Sequence, residues 1–186
     1  MLLTRVALVV SLALLTACAT APQGEESEHA AADLSAGPAA STKPLCTPVE
    51  RTIFSCRTTN DKLIAVCASS DLSATTGYIQ YRFGSDDATE LKLPQDEAVQ
   101  NFRQILRAYT TDPEVSGSFY ASGLELSKGS YTYTVHYSIG HGQESAGVIV
   151  TKDGDELADI RCNDDYSNGI DIDAVLAAGV RHSLAD

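Results

Sequence analysis

The side chains able to do chemistry are scattered along the chain. His136 and His141 flank Ile139-Gly140, placed to approach one another across a turn. An imidazole pair relays protons or holds a metal only with a carboxylate or third ligand to orient it, and no such partner stands at a fixed spacing. Exposed strand-end histidines are the expectation. Ser145 lies in Gly142-Gln143-Glu144-Ser145-Ala146-Gly147, where the first glycine is one residue too distant for the G-x-S-x-G elbow that presents a serine nucleophile. A glycan hydrolase would have to draw its working pair, set roughly 5–10 Å apart, from carboxylates such as Glu90, Asp96, Glu125 and Glu144. The stretch from Asn163 to Asp173 offers oxygen ligands of the kind calcium takes, with Gly169 where an EF-hand loop counted from Asp164 has its glycine. Tyr166 and Val175 stand where that loop needs an oxygen donor and a glutamate, so a solvated acidic turn is expected ahead of the alternative, a non-EF calcium loop, and no metal or cofactor is assigned.

Cys46, Cys56, Cys67 and Cys162 form an even set, with no C-x-x-C and no histidine at ligand spacing from any pair. Outside the cytoplasm such a set reads as two structural disulfides, for which three connectivities are open. A hairpin turning at Asn60-Asp61 leaves Cys56 and Cys67 on the same face, diagonally offset, which suits a bridge poorly. Of the two pairings that remain, Cys46 with Cys56 and Cys67 with Cys162 is favoured, which would tie the last strand to the first hairpin.

The elements that carry these residues are mainly strands. Short alternating runs broken by turn residues place strands near Thr52–Arg57, Lys62–Ala68, Tyr78–Phe83, Phe119–Leu126, Ser130–Ser138, Gly147–Thr151 and Glu156–Cys162. In the clearest of them Tyr131, Tyr133, Val135 and Tyr137 share the face expected to be buried, and Thr132, Thr134 and His136 share the other. Asp153-Gly154, Lys128-Gly129 and Asn60-Asp61 mark turns. Within Asp96–Tyr109, the residues Val99, Phe102, Ile105, Leu106 and Tyr109 fall at helical spacing and predict an amphipathic helix that caps the sheet. A second short helix is expected from an Asp173 N-cap through Ala178, weakened at Gly179. The fold class is mainly β, an antiparallel β-sandwich or partly open barrel with one amphipathic helix over about 96–109 and a short C-terminal helix.

Composition narrows the partners. The chain of 186 residues has a formal net charge of -12. So acidic a surface repels phosphate backbones, which argues against nucleic acid; solubility is its ordinary reading and a basic partner the sharper one.

At the N-terminus Arg5 precedes the apolar run Val6 to Leu15, too short to span a bilayer and suited to the core of a signal peptide over residues 1–17. Leu15-Thr16-Ala17-Cys18 follows and resembles the bacterial lipobox. The resemblance implies cleavage before Cys18 and acylation of its thiol and new amine, a lasting lipid anchor. Ala19 is not the aspartate that retains such proteins in the inner membrane, so the outer membrane, periplasmic face, is expected. From Ala19 to Pro44 the chain is rich in Ala, Ser, Gly, Pro and Glu, so residues 18–44 read as a lipidated, disordered tether with a reach of roughly 25–30 Å. Residues 45–186 then form a single disulfide-bonded β-domain.

Ile53-Phe54-Ser55-Cys56, Ala65-Val66-Cys67-Ala68-Ser69 and Gly77-Tyr78-Ile79-Gln80-Tyr81-Arg82-Phe83-Gly84, together with Tyr131-Thr132-Tyr133 and Ala146-Gly147-Val148, resemble a group of uncharacterised secreted or lipid-anchored proteins of proteobacteria. That likeness implies a β-domain and no particular activity. The functional expectation is a lipid-anchored envelope protein whose acidic domain binds a protein or glycan. Two other readings stand beside it: an inhibitor of a cationic host enzyme such as lysozyme, for which Val115-Ser116-Gly117-Ser118 is only a slight recognition loop, and a glycan hydrolase with an unrecognised site. The balance leans away from an enzyme.

Overall fold

A computed structural model describes residues 45–95, 102–112, 119–166 and 169–185. The signal segment, Cys18, the tether through Pro44, Asp96 and Val115–Ser118 lie outside the described residues. In chain order the elements are β1 (Arg51–Thr58), β2 (Leu63–Ala68), β3 (Ile79–Gly84), β4 (Thr89–Leu93), α1 (Phe102–Ile105), β5 (Leu106–Thr111), β6 (Tyr120–Lys128), β7 (Tyr131–Gly140), β8 (Gln143–Lys152), β9 (Asp155–Tyr166), α2 (Ile172–Ala177) and β10 (Arg181–Ala185).

The strands form one open sheet in the order β10-β5-β6-β7-β8-β9-β1-β2-β3-β4, antiparallel except where β10 runs parallel to β5. The mainly β class is as expected, and each strand read from the sequence is present. Its curvature follows from Tyr81 on β3 and Tyr133 on β7, whose ring centroids are 6.0 Å apart. Five strand steps separate them in the sheet order, roughly 24 Å if the sheet were flat, so it must fold back on itself. The enclosed core takes Phe54, Ile64, Val66 and Tyr81 from one half and Leu106, Leu124, Leu126, Val135 and Val148 from the other. As expected, Val135 is buried and Tyr133 and Tyr137 pack against this core, while Tyr131 at the strand end stays 37% exposed.

Two predicted helices change. In place of a helix over 96–109, α1 covers only Phe102–Ile105 among the described residues, and Leu106–Thr111 is β5. The alternation decides it: Leu106 and Ala108 enter the core while Arg107 and Tyr109 face away, and pairing with β6 satisfies a full ladder that an isolated helical turn cannot offer. The C-terminal helix is present as α2, but its N-cap is Asp171, whose Oδ1 accepts from the Ala174 N–H, and not Asp173.

The disulfides also differ from the favoured pairing. Cys46 bonds Cys67 and Cys56 bonds Cys162. In the first hairpin Arg57 pairs with Leu63 and Cys56 with Ile64, a register one residue from the one assumed. A slip of one residue moves side chains to the opposite face. Cys56 therefore points into the core beside Cys162 on β9, and Cys67 points outward, where Leu45 and Cys46 cover it.

That covering segment explains why β2 is buried along its whole length and why Gln80 and Arg82 on β3 are buried too. Glu50 reaches Arg82 with both oxygens, from Nη1 at 2.9 Å and Nη2 at 2.7 Å. Arg82 also donates to the Leu45 carbonyl and, through Nε, to Gln80. The Tyr78 hydroxyl and the Thr47 N–H both donate to Glu50. Burial by itself would raise the Glu50 carboxyl, but these donors outweigh it and hold the group at about 2.

Candidate binding face

On the side of β5 to β9 that faces away from the core, one row of cross-strand partners runs Tyr109, Gly123, His136, Gly147, Arg161. The alternation of each strand sets this row. Ala108, Leu124, Val135 and Val148 turn inward, and Ile160 packs on the same core, so the residue beside each turns out. Planar side chains thus stand on β5, β7 and β9, with glycines on β6 and β8 between them.

Gly123 makes room for the Tyr109 ring, and Gly147 for the close approach of β9. A Cβ on Gly123 would sit 2.3 Å from the Tyr109 Cε1 and Cζ atoms, while one on Gly147 would meet the Ile160 carbonyl oxygen at 2.4 Å and His136 Nε2 at 3.2 Å. Tyr109 therefore leans over β6 and His136 over β8, both in the same sense, and both glycines are covered. Each of the two rings remains half-buried. Arg161 extends the row with 71% of its side chain exposed, and its Nε donates to Asp159 at 2.8 Å.

A second row lies alongside, two residues further down each strand: Arg107, Glu125, Thr134, Ile149 and Asp159. Four of its five members carry hydrogen-bonding groups, and Arg107 and Glu125 oppose each other with unlike charge. The planar row is thus flanked by donors and acceptors.

The electrostatics fit a neutral surface within an acidic molecule. Burial lowers the His136 pKa, with nearby Asp159 opposing and Arg161 adding to the effect, so the imidazole is held neutral. Its Nε2 is buried and has no hydrogen-bond partner among the described residues. Burial raises the Tyr109 phenol, and Glu125 raises it further.

The other residues singled out from the sequence are dispersed. His141 is the first residue of the two-residue turn joining β7 to β8, with φ of 52°, while His136 lies mid-strand, roughly 16 Å away at about 3.3 Å per residue. They do not meet. Ser145 is an ordinary strand position on β8. Glu125 pairs with Thr134, and Glu144 pairs with Ile139 at the far end of β7. Glu90 on β4 is bound to Lys62. These three carboxylates therefore form no working pair. Asn163–Tyr166 continue β9, and the Asp171 carboxylate is engaged by the Ala174 N–H and by Arg51. No group of three or more His, Cys, Asp or Glu is placed to hold a metal among the described residues.

A cavity of about 350 Å³ opens at one end of the sheet between Tyr120, Ile172, Asp173, Leu176 and His182, where His182 Nε2 lies 3.0 Å from the Thr110 hydroxyl. Of its two carboxylates, Asp171 is already engaged as described. Sequence reasoning singled out His136 and Glu125 but missed Tyr109, Gly123, Gly147 and Arg161. The usable signal was a lone glycine inside each of two strand patterns, which marks close approach by another group.

No protein-family model matches this chain, and no curated protein or solved structure matches it either.

Proposed function

We propose that this chain is a lipid-anchored protein of the bacterial envelope, moored through Cys18 at the outer membrane and facing the periplasm, whose acidic β-domain works by binding a protein or glycan. The observation that carries the binding half is the outward row of Tyr109, His136 and Arg161 laid over Gly123 and Gly147. Aromatic rings held flat on a rigid sheet, with polar groups beside them, offer contact area at little cost in side-chain freedom. Catalysis would need converging acid and base, and Glu90, Glu125 and Glu144 are held on separate strands without meeting.

The anchoring half rests on the lipobox resemblance and on cysteine usage. Both disulfides together occupy Cys46, Cys56, Cys67 and Cys162, which leaves Cys18 as the single cysteine of the sequence outside them. Mass spectrometry of the mature N-terminus tests the anchor: a diacylglyceryl thioether on Cys18 is expected, and a bare peptide there removes the mooring. Crosslinking in intact envelopes tests the binding, with the expectation that photo-reactive groups at positions 109 and 161 capture a partner while one at Glu90 does not. Equal capture at all three positions would overturn the assignment of the face.

A further inference from the structure

We infer that the cavity beside α2, at the end of the sheet where Tyr120 and His182 lie, binds a small organic cation, an ammonium group carried on an apolar body, with Asp173 as its counter-charge. The site is on the core side of the sheet, so it is separate from the outward row proposed above as the binding face.

The alternation of the strands builds the apolar part. Leu124 and Leu126 face the core from β6, so Tyr120 shares their side, and Ile139, opposite Tyr120 in the ladder, shares it too. On β10 Leu184 stands beside Thr110 and His182 beside the buried Ala108, again on that side. Tyr120, Ile139 and Leu184 nevertheless stay 40%, 40% and 58% exposed, although the residues further along the same face are buried. Ile170, Ile172 and Leu176 line the cavity with Tyr120, and its volume of about 350 Å³ falls at the small end of the range for ligand sites. Apolar surface gathered around a concavity in this way marks a place of binding.

The carboxylates fix the sign of the ligand. Asp171 is committed to Arg51 and to the Ala174 N–H. Asp173 lines the cavity, is exposed, and forms no ion pair or hydrogen bond among the described residues. His182 Nε2 and the Thr110 hydroxyl are engaged with each other at 3.0 Å, which leaves Asp173 as the carboxylate of the lining open to a ligand. An ammonium there gains a charge-assisted hydrogen bond, and the Tyr120 ring on the wall offers it a cation–π contact.

The competing ligand classes fit less well. An anion of the same shape meets two carboxylates in a chain of net charge -12. A bare metal ion finds no third ligand among the described residues and makes no use of the apolar wall.

NMR titration of the mature chain in nonionic detergent tests this, with phenethylammonium as the probe and phenylpropanoate as the control of opposite charge, read at the amides of Tyr120, Asp173, Leu176 and His182. Phenethylammonium is expected to bind at least about tenfold more tightly than phenylpropanoate, a comparison made on the parent that needs no variant. Asp173→Asn and Tyr120→Ala are each expected to weaken binding at least about fivefold. Asp155→Asn, which removes the same unit of charge at the opposite end of the sheet, should stay within about twofold of the parent. No saturable shift at these amides, equal binding of the two probes, or equal weakening by Asp173→Asn and Asp155→Asn would overturn the inference. The crosslinking at 109 and 161 reads the other side of the sheet, so either result can fail while the other stands.

Discussion

Glu50 and Arg82 form a two-pronged ion pair on the outer side of β3, with 3% and 4% of their side chains exposed. They couple the chain's entry into the domain to β3, one strand in from the β4 edge. Arg82→Met should destabilise the domain by about 3–5 kcal/mol, because the partner carboxylate is left buried and unpaired. Urea denaturation of the parent and variant measures it. A change under about 1 kcal/mol would mean that water reaches Glu50 when the arginine is gone.

The same pair sets the acid limb of stability. The Glu50 carboxyl is depressed from 4.5 to about 2 in the folded state, so its contribution is present above pH 4.5 and is lost as pH falls through the folded value. Thermal melts between pH 5 and pH 2 should show a falling midpoint that flattens in Glu50→Gln. A parallel fall in both proteins would assign the acid sensitivity elsewhere.

His136 acts in the same direction at higher pH. Its folded pKa lies below the ordinary 6.5, so the unfolded chain takes up a proton first and stability declines as pH drops below that value. An NMR titration of the ring protons should give a midpoint below 6.5. One above it would show that Asp159 outweighs burial.

The bridges differ in what they constrain. Cys56–Cys162 closes a loop with a sequence separation of 106, and Cys46–Cys67 one of 21. Chain-entropy arguments give about 5 and about 3 kcal/mol respectively, so Cys56→Ser with Cys162→Ser should cost more than Cys46→Ser with Cys67→Ser. Denaturation of the two double variants orders them. The reverse order would indicate that the covering segment matters more than loop length.

Tyr81 and Tyr133 provide a direct check that the sheet closes on itself. A double-mutant cycle replacing each with Leu should return a coupling of about 0.5–1.5 kcal/mol. Zero coupling would place the two halves of the sheet apart in solution.

What could be read from residues alone divides along local and long-range lines. The hairpins at Asp153-Gly154 and Lys128-Gly129 were legible because positive φ is cheap there, and the inward face of β7 was legible from Tyr133, Val135 and Tyr137. The segment Leu106–Thr111 was not, since its apolar residues satisfy a helical period nearly as well as an alternating one, and only the pairing with β6 chooses. A turn at Asn60-Asp61 puts Cys56 and Cys67 on one face, and only the actual hairpin register, different by one residue, sends them to opposite faces. The binding face was beyond reach for the same reason in stronger form: Tyr109, His136 and Arg161 become neighbours only through four successive registers.

The bolt between Cys46 and Cys67 has a mechanical consequence. A tug arriving along the chain at residue 45 is delivered to β2, an interior strand held on both sides by β1 and β3, before it can reach the start of β1. Force applied there loads the ladders to β1 and β3 together. A load entering the domain at residue 45 is thus borne by an interior strand and not by the end of β1.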